Sequence, residues 1–315
     1  MIARLFVTAV CLSVMLVPGL QSLPALARGQ DSTRAERNAQ IISRLLEGRY
    51  DNANQAYFDR RLSEPEENRH TRYHLTIDRI ADETRHVFWH QMSAQSQSHD
   101  EGPLRWLTRL SPDADGWGVR LAFYTPATGD HEATRIEGCD LVWREEAGQF
   151  RAYGEGDACT ADTPRSMMLS EDQLWFSLDG EKKRPYALER ARVFQCYMDV
   201  PGVGGGRDIP YRRYQLGEVH DRGGKAEVTL DDGQQLYVRL QNVRWPINNL
   251  ENIFTRHSMV LYVGETKDDE STEIAYTWTQ PKAQRIGLNL KSLLVNCFML
   301  NNEEIEPFYR DEPEL

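Results

Sequence analysis

A chain of 315 residues with 37 basic and 48 acidic side chains carries a formal net charge of −11, and 40% of its residues are hydrophobic. The acidic balance makes it a poor partner for nucleic acid or an anionic lipid surface. The apolar fraction is high enough for a substantial core, which argues against a disordered chain.

The N-terminus places one positive charge, Arg4, before an apolar run from Leu5 to Val17, and Ala25-Leu26-Ala27 has the small-x-small pattern of a cleavage site. Residues 1–27 therefore read as a secretory signal peptide, and no later apolar stretch offers a membrane span. Cleavage after Ala27 leaves 288 residues with a net charge of −12, since Arg4 leaves with the signal. The expected address is secreted or periplasmic. Cys11 goes with the signal, and the remaining Cys139, Cys159, Cys196 and Cys297 form an even set suited to two disulfides in an oxidising compartment. Three pairings are open. Cys139 with Cys159 and Cys196 with Cys297 is favoured because each pair then lies in one unit, and no C-x-x-C spacing supports a zinc or redox site.

In chain order, Thr33 and Glu36 form a capping box before a helix whose apolar positions Ala35, Ala39, Ile42, Leu45 and Leu46 run up to Gly48. Strand patterns follow. Tyr73, Leu75 and Ile77 alternate with polar neighbours, as do Trp117, Val119, Leu121 and Phe123, and later Ile286, Leu288 and Leu290. Residues 226–230 and 234–240, joined by Asp231-Asp232-Gly233, read as a hairpin. Many short alternating strands with no long helices between them predict an antiparallel barrel or sandwich. Residues 201–210 and 267–272 read as loops, and the polar segment 179–185 as the boundary of two β-rich units, 28–185 and 186–315.

The remaining chemical motifs are weak. His70, His74, His86 and His90 cluster in sequence, but His86 and His90 would share a face only on a helix and their context is strand, so no metal site is assigned. The Gly202 to Gly206 run lacks the Lys-Ser/Thr of a phosphate loop, no G-x-S-x-G elbow occurs, and Glu145-Glu146 reads as a solvated turn.

Gly48, Tyr50, Asp51, Asn52 and Gln55 resemble the opening motif of the CpcT/CpeT phycobilin chromophore lyases. Gln91, Pro103 and Arg105, the series Gly138-Cys139, Trp143, Phe150 and Cys159, and the segment 169–180 follow in the order of that family, over about residues 45–191. The resemblance implies a calycin-like antiparallel β-barrel with an N-terminal helix, often dimeric, with residues 186–315 as a C-terminal β-rich extension. It also implies a bilin or other small amphipathic ligand held in the barrel, with attachment to a cysteine of a client protein. That thioether chemistry needs no cofactor and no cysteine of the lyase. Guanidinium groups suit the two propionates of a bilin, which nominates Arg105, Arg109 and Arg120 for ligand binding beside Gln91. Tyr50, Asn52 and Gln55 either line the cavity or tie the helix end to the barrel. Against lyase chemistry stands the secreted address, which leaves a non-catalytic carrier or an envelope interaction protein as alternatives.

Overall fold

The computed structural model describes residues 24–80, 86–95, 103–126, 133–155, 158–160, 163–178, 184–201, 211–246, 255–267 and 270–300. The apolar run 5–17, the glycine-rich segment 202–210, most of the expected boundary segment 179–185 and the acidic tail from 301 lie outside the described residues.

Ten strands close into an antiparallel barrel: β1 (Gly48–Asp51), β2 (Tyr73–Arg79), β3 (His86–Ala94), β4 (Leu104–Pro112), β5 (Val119–Thr125), β6 (Thr134–Glu146), β7 (Gln149–Glu155), β8 (Ser166–Leu169), β9 (Gln173–Ser177) and β10 (Tyr186–Ala191). Each strand from β2 to β10 pairs with its sequence neighbour, and short β1 closes the ring between β10 and β2. Alternation explains the closure: on β3, Phe88, His90 and Met92 are buried while Val87, Trp89 and Gln91 are less so. Phe88, Leu121, Phe123, Leu141 and Trp143 belong to one continuous core of buried side chains that fills the bore.

Helix α1 (Pro24–Leu46) packs against β4, β5 and β8 of the barrel. Its Ala39, Ile42 and Leu46 join the core, Ser43 Oγ is 3.1 Å from His86 Nδ1 at the start of β3, and Arg34 stacks 5.7 Å over Trp117 between β4 and β5. The helix begins before the expected Thr33 cap, so Thr33 is an interior position, and the predicted cleavage point falls within its backbone. Trp117, expected as an inward strand residue, is 51% exposed because β5 starts two residues later, at Val119. A second helix, α2 (Ala53–Arg61), sits between β1 and β2 at the barrel rim.

The chain then forms β11 (Val193–Pro201), β12 (Tyr211–His220), β13 (Arg222–Thr229), β14 (Gln235–Pro246), β15 (Thr255–Lys267), β16 (Glu270–Thr279), β17 (Arg285–Asn289) and β18 (Leu294–Met299). They make two four-stranded sheets, β12-β11-β18-β17 and β13-β14-β15-β16, whose inner faces share a second core. The predicted hairpin is β13 to β14, turning at Gly233 with φ 88°. Within the expected loop at 267–272, Lys267 ends β15 and pairs with Glu270 at the start of β16, while residues 268 and 269 lie outside the described residues. The boundary expected at 185 falls short by the length of β10: this strand bonds to both β9 and β1, so the barrel runs to Ala191.

Both favoured cysteine pairs are disulfides. Cys139 in β6 joins Cys159 across 20 residues, and Cys196 in β11 joins its register partner Cys297 in β18 across 101. Among the described residues no helix is long and apolar enough to cross a membrane.

Candidate functional site

The resemblance motif at the start of the barrel folds into a knot of internal bonds. Tyr50 is fully buried; its hydroxyl donates to the Leu45 carbonyl and accepts from Arg190 Nη2 at 2.5 Å. Burial pushes the Tyr50 phenol above its ordinary pKa, against the opposing charge of Arg190, so it stays a neutral donor. Gly48, at φ 148°, leaves room for that guanidinium: a Cβ there would stand 2.3 Å from Arg190 Nη1. Asn52 donates to the Thr71 carbonyl (2.9 Å) and accepts from the Tyr73 amide (2.7 Å). Gln55 on α2 donates to the Pro185 carbonyl (2.9 Å) and accepts from the Ala187 amide (3.0 Å), fastening the helix to β10. Of the two roles open to these residues, the geometry gives the tie.

The arginines expected at the barrel mouth face outward. Arg105 and Arg109 are exposed on β4, with Thr108 and Leu110 buried on the opposite face, and Gln91 is the cross-strand neighbour of Arg105 on that outer face. Arg120 is held by three carboxylates, Asp113 at 2.6 Å and Asp140 and Glu155 at 3.0 Å. Those bonds outweigh its desolvation and raise its pKa, so the group is committed to the wall. Period-2 alternation, the same pattern that predicts the strands, turns all three away from the bore. Inside the bore the main polar pair is His90 with Thr108 Oγ1, 2.7 Å apart, and burial pushes His90 down to about 3, a neutral ring at physiological pH.

A second buried pair anchors α2. Asp59 accepts from the His70 amide (2.8 Å), faces the His70 ring nitrogen at 2.7 Å and takes Arg184 at 3.1 Å. Burial alone would raise the Asp59 carboxyl, but the bonds from His70 and the charge of Arg184 outweigh it and hold the pKa below its ordinary value. A depressed folded pKa contributes stability that is present above the unfolded value and is lost as pH falls through the folded one. Asp59→Asn should therefore cost about 1 to 3 kcal/mol at neutral pH. In urea titrations its deficit against wild type should shrink as the pH drops below the ordinary carboxylate range; a deficit independent of pH would contradict the assignment.

A cavity of about 630 Å³ lies in a cleft between α2 and the face of β13, β14 and β15. Its floor and walls include Asn54, Tyr57 and Phe58 of α2, Gln241 and Val243 of β14, and Tyr262 of β15. Five cations line it, Arg60, Arg72, Lys225, Arg239 and Arg244, and no lining side chain is acidic. Alternation on β14 sets the face: Leu236, Val238 and Leu240 enter the second core, which leaves Arg239, Gln241 and Val243 to the cleft. Arg239 lies 4.3 Å over the Tyr262 ring. Carboxylates behind the lining position the cations: Asp51 holds Arg72 at 3.1 Å, Glu227 holds Lys225 at 2.7 Å, Glu189 holds Arg244 at 2.6 Å, and Glu273 pairs with Arg239. Arg60 is exposed and makes no ion pair among the described residues.

None of the seven residues nominated for ligand binding lines this cleft. The motif helix does supply part of its wall, through Ala53 and Asn54 between the motif positions and Tyr57, Phe58 and Arg60 after them. Three of the five cations, Lys225, Arg239 and Arg244, come from β13 and β14, beyond the segment that carries the family resemblance. Compared with known proteins, the chain matches no family model, and no curated protein matches it.

Proposed function

We propose that the protein is a secreted binding protein for a small amphipathic anion, seated in the α2/β13–β15 cleft. The observation that carries this reading is a cavity lined by five cations, three aromatic rings and no acid in a chain whose net charge is −11. Although carboxylates pair four of the five cations, only the cationic partners line the cleft, which favours an anion, and Tyr57, Phe58 and Tyr262 offer flat faces to an apolar or conjugated body. Guanidinium groups match carboxylates through paired N–H donors. The volume lies within the range that encloses ligands of some tens of atoms. A linear tetrapyrrole with two propionates, the ligand class of the resemblance, satisfies these demands. In the lyase form of the reading, a client thiol would add its sulfur and hydrogen across a ligand double bond with no leaving group. The four described cysteines are all bridged, so the thiol would come from the client.

Absorbance titration with biliverdin tests the reading. Wild type should shift the pigment band with saturation, biliverdin dimethyl ester should bind more weakly, and Arg239→Glu with Arg244→Glu should weaken binding roughly tenfold to a hundredfold per charged bond lost. A flat titration, or equal binding by the ester and the double variant, would remove the proposal.

The filled bore and an exposed stripe on edge strand β16, Ile274, Tyr276 and Trp278, favour a second reading as an envelope interaction protein. In that case the titration is flat and substitutions on the stripe, not in the cleft, change what the protein associates with.

A further inference from the structure

Beneath the cleft, where the barrel meets the second unit, three buried side chains from three strands converge. Asp51 ends β1, His74 is its register partner on β2, and His220 ends β12. Their exposures are 1%, 1% and 0%, and one donor atom from each lies within 4.8 Å of the others. We infer that Asp51, His74 and His220 form a binding site for a borderline divalent cation, zinc by preference, that joins the barrel to the second unit.

The donor set is two imidazoles and a carboxylate, which suits zinc and its neighbours in the transition series and does not suit calcium or magnesium. Around a tetrahedral zinc, ligand atoms about 2.0 to 2.1 Å from the ion stand about 3.3 Å from one another. Asp51 Oδ2 and His74 Nδ1 are already 3.3 Å apart, a spacing long for a charged hydrogen bond and right for two ligands of one ion. A donor atom of His220 lies within 4.8 Å of both, so binding an ion would draw its ring inward to complete the set. The two imidazoles lie side by side, with centroids 4.7 Å apart.

The surrounding chain holds these groups as outer partners hold metal ligands. The Ala53 amide donates to Asp51 Oδ1 at 2.7 Å, which fixes the carboxylate and leaves Oδ2 turned towards His74. The chain folds back tightly over His220 at the β12 to β13 corner. A Cβ on Gly224 would stand 2.5 Å from the His220 amide nitrogen and 2.9 Å from its ring, so only glycine permits that approach. Arg72 bonds both Asp51 oxygens at 3.1 and 3.2 Å and opposes the ion by its charge, which makes this a weaker site than three histidines would be. Neighbouring Asp221 is engaged by Arg192 and Asn242, each at 2.7 Å, and is not counted as a ligand. Three protein donors leave a fourth position for water.

The test uses the untagged full chain, stripped with a chelator, then exposed to Zn²⁺ or Co²⁺ and desalted. The expected result is one retained zinc per chain by elemental analysis, a chelator-reversible rise in melting temperature, and visible cobalt absorption at tetrahedral intensity. His220→Gln and Asp51→Asn should both lose the retained metal, with their folding in chelator checked by circular dichroism. Should either variant fail to fold, the wild-type cobalt spectrum decides alone, since its intensity and energy report nitrogen and oxygen donors in a tetrahedral field. No retained zinc in wild type, or retention unchanged in a folded variant, overturns the site.

Discussion

Replacing Cys196 and Cys297 together by alanine should lower the stability of the second unit by about 4 to 5 kcal/mol, the largest effect expected of any substitution considered. The bridge closes a loop of 101 residues, and loop-closure entropy in the unfolded chain grows with the logarithm of that length. It is also part of the core: both cysteines are fully buried and directly opposed on β11 and β18, among Phe194, Met198 and Val295. The Cys139–Cys159 bridge spans 20 residues and should contribute about 3 kcal/mol on the same basis. Cys159 is only partly buried, so a mild reductant should open that bridge first. Denaturant titrations of the two double variants, with mass-spectrometric counting of alkylated thiols, check both the magnitudes and the order. Equal losses, or Cys196 and Cys297 alkylated first, would contradict this ranking.

Trp143→Ala should cost about 3 to 5 kcal/mol, the loss expected when a large aromatic is removed from a rigid core. Trp143 is 1% exposed on β6, opposite Val119 and Ala152, and no neighbouring strand can collapse into the space it would leave. Its indole N–H finds no acceptor among the described residues, so part of its burial is offset by an unpaired donor. Trp143→Phe removes that donor and keeps most of the ring, and should cost less than about 1.5 kcal/mol. Guanidinium unfolding curves of the two variants check the contrast. Similar losses for both would mean that the indole nitrogen has a partner.

The barrel was legible because its cause is local. Tyr73, Leu75 and Ile77 alternate, and so do Val119, Leu121 and Phe123, and every such strand needs only a neighbour to become a sheet. The cysteine pairing was legible for a related reason, since each pair falls inside one set of consecutive strands. The last barrel strand is harder to assign, because Tyr186 to Ala191 follows a charged segment and nothing local shows which unit it joins. The outward direction of Arg105 and Arg109 is legible in strand parity, since they sit out of phase with Leu104, Thr108 and Leu110. The cleft is not. Its cations come from α2, from the residue before β2, and from β13 and β14, and each in isolation is an ordinary solvated arginine or lysine. Asp51, His74 and His220 were hidden in the same way, two of them brought together by strand register and the third by packing of the second unit on the first.

Hydrogen–deuterium exchange with and without saturating biliverdin locates the ligand directly. The cleft predicts added protection in α2, Ala53–Arg61, and along β13 to β15, with β3, β4 and β5 of the barrel unchanged. Protection confined to the barrel strands would put the ligand back in the bore, and no added protection anywhere would contradict a binding role altogether.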